Sequence, residues 1–137
     1  MPSNPRRSNG ALRDKLRLRL KNEGRPCWIC VLAGRTGEID YALPARHPYS
    51  FEVDELVPVS KYWLGGYPSP EAAALDYQNL GATHRCCNEW RSNRTVEEVK
   101  LAIERQRYGN GKKSGPRAPV KASRDWRCGA NKEVDDA

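Results

Sequence analysis

The sequence predicts a small α+β domain stapled by a metal ion. Three observations carry that reading. Helical and strand periodicities both occur within one short chain. Two Cys/His pairs stand far apart, Cys27-x-x-Cys30 and His84-x-x-Cys87. The chain has 137 residues, 38% hydrophobic and 30% charged, so its core is thin. A thin core in a small domain needs a disulfide or a metal to hold it.

The first helix is expected over Ala11–Asn22. Leu12, Leu16 and Leu20 recur at helical spacing, and Gly24 stands where a helix would stop. The run LRLRL also fits a short strand, but its flanks favour a helix. The helix carries Arg13, Arg17 and Arg19. These lie along phosphate or, on the plainer reading, simply face solvent. Residues 1–10 before it are polar and rich in Pro, Ser and Asn, the composition of a disordered arm.

Cys27 and Cys30 form a knuckle-like turn, suited to zinc or to redox chemistry. A thioredoxin-type redox pair needs a βαβ context, and none follows. With His84 and Cys87 downstream, the four side chains make the ligand set of a closed structural zinc site. Cys86 and Cys128 are left over and read as free thiols. After a Gly/Pro-rich loop, Tyr49, Phe51 and Val53 alternate with polar residues, which predicts a strand. It ends in two acids, Asp54 and Glu55, with Pro58 breaking the pairing beyond. A salt bridge and a chemical role are both open for those acids. Lys61–Pro70 reads as an aromatic, Gly-rich loop and Glu71–Leu75 as a helical turn. Asn79-Leu80 opens a short return strand or a turn. Thr83 is the expected N-cap of a helix over His84–Asn93. Thr95 and Glu98 form a capping box for the next helix, with Val96, Val99, Leu101 and Ile103 on its apolar side. Gly109-Asn110-Gly111 ends it. Residues 112–137 read as a tail, in which Trp126 is a docking anchor.

The net charge of +7 is unevenly spread. Residues 1–26 hold eight Lys/Arg against two acids, and 112–137 hold seven against four. The segment 27–111 holds nine against eleven, so it is slightly acidic. Basic arms around an acidic middle suit a phosphate polymer gripped from outside, although charged tails also serve solubility alone. No stretch is long and apolar enough to span a bilayer, and no export signal is recognisable, so the expected location is the cytoplasm, with reduced thiols.

Taken together, Cys27-x-x-Cys30, VDELVPVS, Asn79-Leu80 and His84-x-x-Cys87-Asn88 resemble the HNH endonuclease family, most closely the small bacteriophage type. The likeness covers roughly Arg25 to Arg94. It implies a ββα-metal core over residues 11–111, stapled by structural Zn²⁺ at the knuckles. It implies Asp54 and Asn88 as ligands of a catalytic Mg²⁺ or Mn²⁺, Asn79 as the residue that holds the loop and orients the base, and Glu55 as the general base. The family has histidine at the Glu55 position. A carboxylate is a weaker base near neutrality than an imidazole. Arg85, Arg91 and Arg94 are then expected to grip phosphates, alongside the arginines of the first helix. The implied activity is metal-dependent cleavage of double-stranded DNA, of a nicking or packaging-associated kind, in a host-cell cytoplasm and with phage packaging proteins as partners. Two other readings stay open: a non-catalytic zinc-knuckle DNA-binding protein on the same fold, and a zinc-stapled interaction protein using Tyr62, Trp63 and Tyr67.

Overall fold

Phe51–Glu55 (β1) and Leu80–His84 (β2) pair antiparallel as a two-stranded sheet, with Phe51 opposite His84 and Glu55 opposite Leu80. That register separates the chemistry along the hairpin: His84 sits at one end and the acids Asp54 and Glu55 at the other. The computed structural model describes residues 9–107 together with Trp126 and Cys128. Around the sheet lie helices α1 (Gly10–Glu23), α2 (Trp28–Leu32), α3 (Pro70–Leu75), α4 (Arg85–Arg91) and α5 (Val96–Arg107). The result is a small mixed α/β domain.

Helix α1 starts one residue before the expected boundary. The Asn9 side chain accepts from Leu12 N, and Gly24 closes the helix in a left-handed conformation, φ +63°. Of its leucine stripe, Leu20 is buried against Phe51, Leu80 and Ala82, Leu16 packs on the margin of that cluster, and Leu12 is exposed. Its Arg17 and Arg19 lie over the rings of Phe51 and Tyr77, at 4.9 and 3.7 Å.

The second core cluster surrounds the knuckle cysteines with Ile29, Trp90, Val99, Ile103 and Trp126. Trp126 docks as its sequence context suggests. Its backbone N–H donates to Gln106 Oε1, its carbonyl accepts from Gln106 Nε2, and Arg35 stacks over its ring. Cys128 is bonded to Cys86 as a disulfide, with Cα atoms 5.6 Å apart. The expectation that both are free thiols is therefore corrected. The rest of the tail, the Gly109–Gly111 stop and the arm before Asn9 lie outside the described residues.

Three local expectations also change. Lys61–Pro70 is not all loop, because a 3₁₀ helix spans Val59–Gly65 and closes at Gly66, φ +79°. Thr83 does not cap α4. It belongs to β2, and its hydroxyl donates to Glu52 O across the sheet, so His84 takes the N-cap position. Leu101 is exposed, while Val99 and Ile103 carry the buried side of α5. The capping box forms as expected: Thr95 N donates to Glu98 Oε1 and Glu98 N to Thr95 Oγ1. No described helix is long and apolar enough to cross a membrane.

Candidate metal centre and adjoining acidic cleft

Cys27 is the N-cap residue of α2 and Cys30 lies within that helix. His84 ends β2, and Cys87 lies in the first turn of α4. Two segments distant in sequence thus deliver four buried side chains to one point. Their ligand atoms all lie within 4.8 Å of one another, and the group can hold a metal ion such as zinc. Cys30 Sγ is 3.7 Å from Cys87 Sγ and 3.5 Å from His84 Nδ1, and Cys87 Sγ is 3.9 Å from that nitrogen. A tetrahedron with zinc–sulfur bonds of about 2.3 Å has edges of about 3.8 Å, so the spacing matches. The other ring nitrogen, Nε2, is 2.9 Å from Glu38 O. Donating there leaves the Nδ1 lone pair facing the sulfurs, the outer support a metal-bound histidine needs. Hydrogen bonding of the Cys87 thiol to Cys27 and Cys30, and then burial, push its pKa well up. A divalent cation relieves that crowding by stabilising the thiolates. Gly37 permits the close packing behind the knuckle. It has φ +75°, and a Cβ there would sit 2.9 Å from Cys27 O.

Helix α4, which carries Cys87, also packs against β1. Strand residues two apart and helix residues three apart each share a face. Glu52 therefore meets Asn88, and Asp54 meets Arg91. These four line a cleft of about 710 Å³ that Glu55, Arg13 and Arg17 also border. The hairpin thus brings Asp54, Glu55 and Asn88 to one cavity. Asn79 lies behind it. Its Oδ1 accepts from Val57 N, and its Nδ2 donates to Val57 O and Ala73 O. That side chain pins the segment leaving β1.

Asp54 is only 5% exposed. Arg91 Nη1 is 2.7 Å from each of its oxygens, and Trp28 Nε1 donates to Oδ2 at 2.9 Å. Burial pushes its carboxyl up to about 6, against the opposing pull of the Arg91 guanidinium. Glu55 accepts from Arg13 Nη2 at 2.8 Å, and Arg13 Nη1 also bonds Ala74 O. Sequence reasoning missed Trp28. It lies between the two knuckle cysteines and ties the knuckle to the cleft. Gly81, opposite Asp54 in the sheet, makes room for it: a Cβ there would meet Trp28 Cδ1 at 3.1 Å.

The arginines expected to meet phosphate divide. Arg91 is 1% exposed, and besides Asp54 it donates to Glu55 O, Leu56 O and Arg94 O. It is an internal strut, and its assignment to a phosphate-gripping surface is corrected: its donors go to the buried Asp54 carboxylate and to the carbonyls at the strand end. Arg85 is paired with Glu89 at 2.9 Å. Arg94 lies over the Trp90 ring and donates to Trp90 O. Arg13 is committed to Glu55. Arg17 is exposed at the cleft wall, and Arg19 is exposed beside Tyr77. His47 lies towards the knuckle, its ring against Tyr49, which in turn meets His84.

Comparison with protein-family models, with characterised proteins and with solved structures found no match.

Proposed function

We propose that this chain is a zinc-stapled, divalent-ion-dependent nuclease of the HNH kind, acting on double-stranded DNA. One observation carries the reading: β1, β2 and α4 bring Asp54, Glu55 and Asn88 into one cleft, with Asn79 bracing the loop behind them. Zinc at Cys27, Cys30, His84 and Cys87 is structural, because all four ligands are buried.

The donor chemistry of the cleft suits a hard cation. Asp54 offers a carboxylate and Asn88 an amide oxygen, the ligand types of Mg²⁺ and Mn²⁺. Asp54 shares its charge between such an ion and Arg91. When bound, the ion supplies charge neutralisation at the phosphate. Glu55 accepts the proton of the attacking water, and Arg13 holds its carboxylate in place. Asn79 keeps the backbone after Glu55 from shifting. Arg17 at the cleft wall draws in the phosphate backbone.

A second reading has its own support. Both acids are ion-paired, Asp54 to Arg91 and Glu55 to Arg13, which suits a zinc-stapled DNA-binding domain without catalysis. Incubating supercoiled plasmid with the protein and Mg²⁺ or Mn²⁺ separates the two. Nicked or linear product that requires the added ion supports the nuclease. A salt-sensitive gel shift with intact plasmid supports the binding domain.

A further inference from the structure

The structure assigns Glu52 as a positioning residue for Asn88, a role that rests on the metal-dependent reading of the cleft. Asn88 Nδ2 lies 2.9 Å from Glu52 Oε1. A carboxylate can only accept, so this contact decides which way the amide faces. Its N–H groups turn to Glu52, and its Oδ1 is left as the donor atom available to a cation. Asn88 Oδ1 accepts no hydrogen bond among the described residues.

The Glu52 backbone is itself fixed. Arg85 Nε donates to Glu89 Oε2 at 2.9 Å and stays 4.0 Å from Glu52 Oε2. Across the sheet, the Thr83 hydroxyl fixes its backbone carbonyl. Without Glu52 the amide can turn, and a rotated amide presents N–H groups, which repel a cation. With Oε1 turned to the Asn88 amide, Glu52 acts through Asn88.

Mn²⁺ binding tests this without any turnover. Electron paramagnetic resonance of the free aquo ion gives the dissociation constant for the zinc-loaded wild type, Glu52→Ala, Asn88→Ala and the double variant. Zinc content and circular dichroism serve as checks of folding. Loss of an outer support of this type weakens metal binding by roughly 10- to 100-fold. Glu52→Ala is expected in that range, and the double variant is expected to bind no worse than Asn88→Ala alone. Glu52→Ala binding like the wild type overturns the assignment, and so do losses that multiply in the double variant, since Glu52 then acts independently of Asn88. If the wild type binds no Mn²⁺, or Asn88→Ala binds as the wild type does, the metal-dependent reading itself fails and the assignment goes with it.

Discussion

Arg91 shows how the same residue type changes meaning with its surroundings. On a short helix in a basic chain it reads as a phosphate contact. In the fold it is buried and completes Asp54. Removing one partner of a buried ion pair costs about 3–5 kcal/mol, since the other charge is left uncompensated. Arg91→Ala should therefore lower unfolding stability by that order, measured by denaturant titration of the zinc-loaded protein. Asp54 itself is expected to titrate near 6, visible in the carboxyl carbon resonance. The folded chain then keeps a proton that the unfolded chain releases near the ordinary value of 3.8. The stability that Asp54 contributes is thus complete below about 3.8 and lost as pH rises through about 6. In Arg91→Ala the same resonance should titrate above the wild-type midpoint, because the favourable guanidinium is gone.

At the scale of elements, local signals were legible wherever local physics decides. The capping box at Thr95 and Glu98 is one such case, since both its hydrogen bonds lie within four residues. Thr95→Ala should cost about 1 kcal/mol, read from the denaturation midpoint. The alternation at Phe51 and Val53 announced β1, and Gly24 marked the end of α1. Signals that depend on distant partners were not legible. Thr83 is a good cap by type, but β2 continues through it and its hydroxyl is drawn across to Glu52. The Cys86–Cys128 bond spans 42 residues, and no spacing rule selects it. The 3₁₀ helix at Val59–Gly65 lacks a helical apolar period, and its internal break at Lys61 explains why. In the candidate site, the knuckle ligands could be read from their paired spacing. Trp28 could not, because its role appears only when the knuckle is folded against Asp54.

For the whole molecule, the knuckle and the cleft share one scaffold. Trp28 belongs to the knuckle and touches Asp54. Helix α4 carries Cys87 at one end and Arg91 at the other. Loss of zinc should therefore disorder the cleft as well as the knuckle. Cys27→Ser is expected to hold less zinc by elemental analysis and to lose cooperative unfolding, because two thin clusters cannot offset the chain entropy alone. A variant that stayed fully folded without zinc would show that the hydrophobic clusters suffice.

The central claim is that Glu55 accepts a proton during cleavage of a phosphodiester, and single-turnover cleavage of supercoiled plasmid by Glu55→Gln against the wild type tests it most directly. Glutamine keeps the shape and can still accept from Arg13, but it cannot take the proton. With zinc content and DNA binding unchanged, the account predicts a rate lower by roughly 10²- to 10⁴-fold. Equal rates for the two proteins, or no cleavage by the wild type with either Mg²⁺ or Mn²⁺, would contradict it.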